Sequence, residues 1–500
     1  MMKPISHTVS IQYGLALLWT AAVLLMSGCA AGPDFVRPAK PDAVSYTPEP
    51  LPKSTASVPV IGGEVQTFSE AENIPRQWWT LFQSPALNKL VEQAIRNNPG
   101  LQQAEAALKI AQESVYAQQG TYYPSVAASF LPSRQKEALG AVSSSAASGA
   151  SLFNLHTAQL NISYTADVFG NNRRQVESLQ AQANYQRFQR EAVYLTLTSN
   201  VVTAAIQEAS IRAQIKATDA MIAIMQQQLE LFARQVEFGA VPQANVVAQI
   251  AQLAQTRALL PPLQKQLAMQ RDLLSALVGR FPSEALPEVF EFSMLQLPQS
   301  IPVILPSQLV EQRPDVRSAE EQLHAASAGV GIAVSNMLPQ FTLSANGGSM
   351  ATQISQLFKS GTGFWTLVGG ITEPIFDGGT LLHKKRAADA AYDQATAQYR
   401  STVIGAFQNV ADTLQTLQFD ADSVLTAATA ERAADESLAI ARRQVELGDI
   451  GYVTLLSSEQ TYQLSVIALV QAQTNRFADT AALFQALGGG WWNQDENSHQ

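Results

Sequence analysis

The sequence predicts a mainly α-helical protein with a β-barrel part, built from two tandem repeats. Nearly the same hexapeptide occurs at 234–239 and again at 443–448, 209 positions later. Two runs of 68 residues, 171–238 and 380–447, contain no proline and only one glycine, Gly405. Short segments ahead of each run alternate polar and apolar residues, which is the pattern of strands. A repeat this long is a doubled domain rather than a solenoid unit.

The N-terminal residues contain a predicted targeting segment. Residues 1–28 are predicted to be a signal peptide, because Lys3 precedes an apolar run that ends in small residues and is too short to span a bilayer. Cys29 follows directly, and as the only cysteine it cannot form a disulfide within the chain. Residues 26–29 (MSGC) resemble a bacterial lipobox, so Cys29 is the predicted lipid anchor. The alternative is a free cysteine in a signal peptide that is cut elsewhere.

The folded part begins with two short helices, which turn signals place at 85–97 and 101–119. Alternation then predicts strands, most clearly at 155–166 and 340–346 and more weakly at 121–131 and 362–371. Each run has about the length of a tilted membrane-spanning strand. A soluble sheet with one buried face would show the same alternation.

The long runs predict helices of about 100 Å, far beyond the usual mean of roughly 11 residues. Gly239 and Gly448 are predicted to end them in tight turns. Return helices follow at 243–278 and 452–487, and only the first contains a proline pair, Pro261 and Pro262. The two repeats should therefore differ at that point.

Four strands cannot close a barrel on their own, and open strand edges in lipid leave costly unpaired amides. The sheet must therefore close between chains, and two copies would give eight strands whereas three would give twelve. Three doubled chains would form a ring of six helical units. A hollow tube of this kind serves conduction.

Composition excludes several functions. The net charge of −9 and pI of about 5.2 argue against a nucleic-acid partner. The five histidines are scattered without metal-ligand spacing, and no phosphate-binding loop is present. We therefore predict no enzyme activity, no cofactor and no metal site. Asp377 and the two following glycines are interpreted as a turn, and Arg442 and Arg443 as members of a solvated helix face with Glu436 and Glu446.

Several motifs carry a resemblance to a family. They are residues 29–38 (CAAGPDFVRP), 77–79 (QWW), 167–170 (DVFG), 313–320 (RPDVRSAE) and 374–379 (PIFDGG). Together they resemble the outer membrane factors, the TolC-like channels, and most closely the lipoprotein branch that serves resistance-nodulation-division efflux pumps. The match covers essentially the whole mature chain.

The resemblance implies a homotrimer with a twelve-stranded outer-membrane barrel, a long periplasmic helical barrel and an equatorial belt. It implies outer-membrane lipid, a periplasmic adaptor protein and an inner-membrane pump of the resistance-nodulation-division type as partners, and no nucleic acid. The predicted domains are the signal peptide at 1–28, a lipid-anchored tether and equatorial segment at 29–84, a first repeat at 85–290, and a second repeat with an equatorial tail at 291–500.

In this family the two helical turns of each chain form an iris at the periplasmic tip. By position, the predicted tip, gate and adaptor-contact residues here are Gly239, Val241, Asn245, Gly448, Asp449, Thr454 and Ser457. Relatives often carry Asp where this chain has Asn245, Thr454 and Ser457. Rings of carboxylates bind cations and select for them, so the departure argues against an acidic gate.

The leading hypothesis is a passive exit channel for drugs or other small toxic compounds, localised in the outer membrane and extending into the periplasm. An exit channel for protein secretion would have the same fold. A third hypothesis is a non-conducting structural lipoprotein, which would have no need of two matched strand pairs. The substrate is not readable from the sequence.

Overall fold

The computed structural model describes residues 30–43, 45–50, 52–69, 73–136, 152–284, 286–303 and 306–493. The predicted signal peptide and anchor, residues 1–28 and Cys29, lie outside the described residues. The helices are α1 Pro85–Asn97, α2 Pro99–Gln119, α3 Asn171–Glu237, α4 Gln243–Arg257, α5 Leu260–Leu277, α6 Pro306–Gln312, α7 Pro314–Ser335, α8 Thr380–Leu447 and α9 Tyr452–Ala486. The strands are β1 Thr67–Ser69, β2 Ser125–Lys136, β3 Leu152–Ala166, β4 Ser300–Pro302, β5 Gln340–Ala351 and β6 Gly363–Thr372.

The predicted fold class is confirmed. The long helices α3 and α8 have 67 and 68 residues, and four longer strands form one antiparallel sheet. The predicted start of α2 was wrong by two residues, because α2 begins at Pro99. Proline fits the first helical turn, where its missing N–H has no partner anyway. The side chain of Asn98 caps this turn by accepting hydrogen bonds from the N–H groups of Gly100 and Leu101.

An aspartate side chain caps the N-terminus of each long helix. Asp167 accepts hydrogen bonds from the N–H groups of Asn172 and Arg173 at 2.9 and 3.0 Å. Asp377 does the same for Gly379 and Leu381 at 2.9 and 2.7 Å. A carboxylate at a helix N-terminus satisfies unpaired N–H groups and complements the helix dipole. This explains the aspartate in two of the sequence motifs, and Asp377 belongs to a turn as predicted.

The return helices differ between the repeats as predicted. The first is broken into α4 and α5, with Ala258 and Leu259 between them and Pro261 and Pro262 in the first turn of α5. The second, α9, runs for 35 residues without a break.

The chain divides into two compact units, each of which takes segments from both repeats. The first contains the described residues up to 37, 108–185 and 319–398, and includes the four-stranded sheet. The second contains the remaining described residues. Its core is aromatic: Trp78 lies 5.4 Å from Phe484 in a stacked arrangement, and Phe82 and Phe477 pack nearby. The QWW motif therefore supplies two fully buried tryptophans.

In the second unit, the RPD motif joins two helices. Arg313 forms a bidentate ion pair with Asp315 at 2.7 and 3.0 Å and donates to the carbonyl of Ala486 at 2.6 Å. The motif thereby links the start of α7 to the end of α9.

The four-stranded sheet has the order β2-β3-β5-β6. Tyr164 lies opposite Leu343, and the pairing continues from Ala166 to His156. Strands β2 and β6 form the two edges, and each has one neighbour in the described chain. Among the described helices, none combines the length and hydropathy needed to cross a membrane.

Candidate functional site

The four-stranded sheet has one apolar face that is open to its surroundings. Its register aligns Val126, Ile162, Ala345 and Leu367 in one row across all four strands. Most large apolar side chains on this face are 40% to 80% exposed. They include Val126, Phe130, Leu160, Ile162, Leu343, Trp365, Leu367 and Ile371, whereas Tyr164 and Phe341 are half-buried. An exposed apolar area of this extent marks a surface that meets lipid or a partner.

The opposite face of the sheet is mostly polar and uncharged. Gln159 donates to Asn161 at 2.7 Å, and Asn161 donates to Ser129 on the neighbouring strand at 3.0 Å. Asn161 also lies opposite Asn346 in the register. The large apolar exceptions on this face are Leu131, Phe153, Leu155, Met350, Phe364 and Val368. The sheet therefore separates an apolar environment from an aqueous one.

The segment 30–37, here called the strap, holds the chain that follows Cys29 against the first unit. Arg174 contacts Asp34 at 2.6 Å and the carbonyl of Ala31 at 3.2 Å. Arg37 pairs with Glu320 at 2.9 Å. Phe35 stacks on His324 with 4.3 Å between ring centres. These contacts hold the strap against this unit from Ala31 to Arg37.

Two glycines make the approach of the strap possible. Gly32 has φ +85, and a Cβ atom there would lie 2.4 Å from the Cα of Gly331 on α7. A Cβ on Gly331 would in turn lie 2.9 Å from the carbonyl of Ala31. Backbone contact at these distances excludes any side chain. The glycine of the CAAGPDFVRP motif therefore has a packing role.

In the second unit, the predicted tip consists of two helical turns with the same cap. Gly239 and Gly448 have φ of 70 and 78. In the first turn, the N–H of Ala240 donates to the carbonyl of Gln235 at 2.8 Å. In the second turn, the N–H of Asp449 donates to the carbonyl of Gln444 at 2.8 Å. This is the Schellman motif, in which glycine relieves the strain of positive φ.

The helices behind the turns share a core. Phe232 and Tyr452 meet edge to face, with 4.7 Å between ring centres. Val246, Leu438, Ala441 and Leu455 complete this buried cluster. The two hairpins, α3–α4 and α8–α9, therefore pack against each other directly behind the turns.

A polar network crosses this core. The hydroxyl of Tyr452 donates to the side-chain oxygen of Gln249. The amide of Gln249 donates to the carbonyl of Met225 at 3.0 Å and to the side chain of Gln228 at 3.2 Å. Sequence reasoning missed this network. A tyrosine that opens a helix directly after a glycine turn is the one signal that could have pointed to it.

Glu459 is a buried acid in the same region. Its side chain is fully buried, and no ordinary hydrogen bond from a described residue reaches its carboxylate oxygens. Burial raises the pKa of Glu459, while the approaching amide of Gln228 and the charge of Arg442 lower it in part. The carboxylate therefore favours its protonated form more than an exposed acid does.

The interpretation of Arg442 as a member of a solvated face was wrong. Arg443 is exposed and pairs with Glu446 at 3.1 Å, as expected of a solvated face. Arg442 instead has two guanidinium nitrogens that are buried. One helical position turns its side chain by about 100°, which is enough to bring Arg442 from water to the interior.

The predicted tip residues lie on or directly after the two turns. Gly239, Gly448, Asp449, Thr454 and Ser457 are exposed, whereas Val241 and Asn245 are half-buried. Among these seven positions Asp449 is the single carboxylate, and its N–H takes part in the helix cap. The predicted residues of each turn lie close together in the structure. The described residues include no group of three potential metal ligands.

Comparison with known proteins gives the family. The family model for the outer membrane efflux protein matches residues 90–280 and 305–489. The chain belongs to the outer membrane efflux protein family. The pyoverdine export outer membrane protein OpmQ of Pseudomonas putida is 28% identical over 447 residues, which cover 88% of this chain and 94% of OpmQ. The probable efflux pump outer membrane protein TtgC of Pseudomonas putida is 27% identical over 489 residues, 97% of each chain.

The fold of a solved structure agrees. The outer-membrane channel OprN superposes with a TM-score of 0.82 at 24% identity, over 93% of this chain and 100% of that one. As an outer membrane efflux protein, the chain is an outer-membrane component of efflux and not an enzyme, which confirms both predictions.

Proposed function

We propose that three copies of this outer membrane efflux protein form a passive exit channel. The channel takes small toxic compounds from an inner-membrane pump and a periplasmic adaptor and releases them outside. The observation that carries the proposal is the sheet with two open edges, one apolar face and one neutral polar face. Four strands in lipid need edge partners, and a twelve-stranded barrel from three chains is wide enough to begin enclosing a lumen.

The neutral polar face supports conduction of chemically varied compounds. The lumen of the barrel would present Gln159, Asn161 and Asn346 rather than a ring of charge. Such side chains hydrogen-bond transiently with many solutes but bind none strongly. The selectivity of the system is then a property of the pump.

The two Schellman turns and the core behind them support a gate at the periplasmic end, made of Gly239, Val241, Asn245, Gly448, Asp449, Thr454 and Ser457. The same exposed turns are the proposed contact surface for the adaptor. Cys29, one residue before the strap, is the proposed lipid anchor.

The first test is a growth profile. A strain that lacks this chain would be compared with one that carries the restored gene, across detergents, dyes, antibiotics and metal ions. Hypersensitivity to one class is expected, and it would name the substrates. An unchanged profile, with the protein detected in the restored strain, would contradict efflux of these compounds, and comparison of exported proteins would then test secretion.

Assembly needs a separate measurement. The mass of the protein extracted in detergent, determined by light scattering with the detergent contribution removed, is expected to equal three chains. A monomer or dimer under conditions that preserve the far-UV circular dichroism would contradict the trimer.

A further inference from the structure

One end of the four-stranded sheet is cationic. Strands β2 and β5 end and strands β3 and β6 begin at this end, here called the hairpin end, whereas the other strand ends lead to helices α2, α3, α7 and α8. The helices of an outer membrane efflux protein extend into the periplasm, so the hairpin end faces the exterior. It meets the outer leaflet of the membrane.

Arg134 and Lys136 lie on the apolar face of the sheet, beyond its last apolar row. Both share the face of Val126 and Phe130, since alternate residues of a strand point the same way. Both are exposed, and neither forms an ion pair with a described residue. Their register partners on β3, Asn154 and Leu152, carry no charge.

No acid offsets these charges on the strands. Residues 125–136, 152–166 and 340–372 contain no Asp or Glu, and the last range adds the exposed Lys359. Glu137, outside the described residues, is the single acid of the β2–β3 connection. In a chain with a net charge of −9, this concentration of positive charge is a local feature of the sheet.

The depth of the charges matches the headgroup level of a bilayer. The apolar rows extend over residues 158–166 of β3, about 26 Å along the strand, which is about 20 Å of depth at a strand tilt of about 40°. The apolar band of an outer-membrane barrel is about 25 Å tall. The next row contains His156, and the rows of Arg134 and Lys136 follow. These two cations therefore lie where lipid phosphates are expected.

An apolar trough lies directly below the cations. It has a volume of about 510 Å³ and includes Ala128, Phe130, Ala158, Leu160, Gly347 and Phe358. The small residues Ala158 and Gly347 leave space on the sheet surface, and Phe358 of the β5–β6 connection borders this space. The side chain of Phe358 is 80% exposed. A trough of this lining suits an acyl chain.

We propose that this surface binds an outer-leaflet lipid whose headgroup carries phosphate groups. An acyl chain lies in the trough, and Arg134 and Lys136 contact the phosphates. A guanidinium pairs with phosphate in a bidentate way, and an ammonium adds a point charge. Cations at this level are attracted to an anionic lipid surface. Charge complementarity and the trough together favour the binding of one specific lipid over non-specific contact with the bilayer.

The test is lipid binding by the detergent-purified protein, followed by native mass spectrometry. The probe is diphosphorylated lipid A, compared with its fully dephosphorylated form. The proposal predicts retention of diphosphorylated lipid A, and binding at least about fivefold weaker for the dephosphorylated form and for the double variant Arg134→Gln/Lys136→Gln. The matched control is Lys109→Gln/Lys265→Gln, which removes the same charge from exposed positions on α2 and α5.

The trough has its own pair of variants. Gly347→Leu fills the trough, since a Cβ there meets only the carbonyl of Phe364 at 4.0 Å, and it is expected to weaken lipid A binding. Ala345→Leu adds comparable bulk on the same face outside the trough and is expected to have little effect. Equal binding by both variants would overturn the assignment of the acyl chain.

Two further outcomes keep the proposal falsifiable even if a variant fails to fold. In the wild-type protein, lipid A binding is expected to fall as sodium chloride rises, because salt screens exposed charges. Binding that is independent of salt would overturn the role of the cations. Competition by millimolar inorganic phosphate as strong as that by lipid A would show a free-anion site instead of a lipid site. The assay needs no transport, so its failure leaves the exit-channel proposal untouched.

Discussion

At the residue scale, the strap shows how a motif becomes a contact. Its aromatic and charged residues each find a partner: Phe35 stacks on His324, and Arg37 pairs with Glu320. His324 also lies 3.0 Å from Glu177 and 3.6 Å from Glu321. The motif was recognisable in the sequence, but its partners were not, since they come from segments more than 130 positions away.

The strap should be pH-dependent. The nearby carboxylate of Glu321 raises the pKa of His324 above its usual value, burial opposes the rise, and the hydrogen-bonded carboxylate of Glu177 adds to it. A raised histidine pKa contributes stability below the unfolded pKa of about 6.5, and this stability is lost as pH rises through the folded pKa. Hydrogen exchange in residues 30–37, corrected for intrinsic rates, is therefore expected to increase above about pH 6.5.

Two variants isolate the histidine. His324→Gln removes the titration and should flatten the dependence of strap exchange on pH. His383→Gln makes the same substitution at an exposed site and should leave it intact. An unchanged pH response in His324→Gln would contradict the role of this side chain.

At the element scale, periodicity predicted most of the architecture. Alternation of polar and apolar residues predicted all four long strands, and the absence of glycine and proline predicted both long helices. The strand bounds were partly wrong: the prediction 121–131 starts four residues before β2 and ends five residues before its end, and 340–346 ends five residues before the end of β5. The weakest strand prediction, 362–371, differs from β6 by one residue at each end. What periodicity could not predict are the Tyr452 network and the burial of Arg442 and Glu459. These depend on which helix packs beside which, and a single helix does not encode its neighbours.

The two faces of β6 should respond differently to charge. Leu367→Lys places a cation on the apolar face, and a lysine near the middle of a bilayer costs about 2–4 kcal/mol on the lipid side of a barrel. Thr366→Lys places it on the opposite face. The amount of protein in isolated outer membranes, measured by immunoblot, is expected to fall for the first variant only.

Two results would contradict this prediction. Equal loss for both variants would mean that β6 tolerates no charge for reasons of folding. Equal retention would mean that Leu367 does not face lipid, and the assignment of the two faces would then be wrong.

At the scale of the whole molecule, charge at the tip is multiplied by assembly. Each side chain at the turns would occur three times around the axis of the proposed trimer. Asn245, Thr454 and Ser457 therefore give neutral rings. Asp449 is the one carboxylate among the predicted tip residues.

The neutral rings predict weak block by polyvalent cations. In planar bilayers, hexaamminecobalt(III) on the periplasmic side should reduce the current of the wild-type channel only slightly. Asn245→Asp/Thr454→Asp should introduce steep block, since carboxylate rings bind cations. Gln415→Asp/Gln471→Asp adds the same charge at exposed positions in α8 and α9 and should not. Steep block of the wild-type channel would contradict the prediction.

The break between α4 and α5 has a consequence for counting partners. Its counterpart α9 is unbroken, so a ring of three chains would present three interrupted and three continuous return helices in alternation. A partner protein that binds only beside the continuous helices has three equivalent binding sites. A partner that binds beside both kinds of return helix has six sites, three of each affinity. Titration of an adaptor onto the assembled channel should therefore show either a stoichiometry of one per chain or a biphasic isotherm that ends at two per chain.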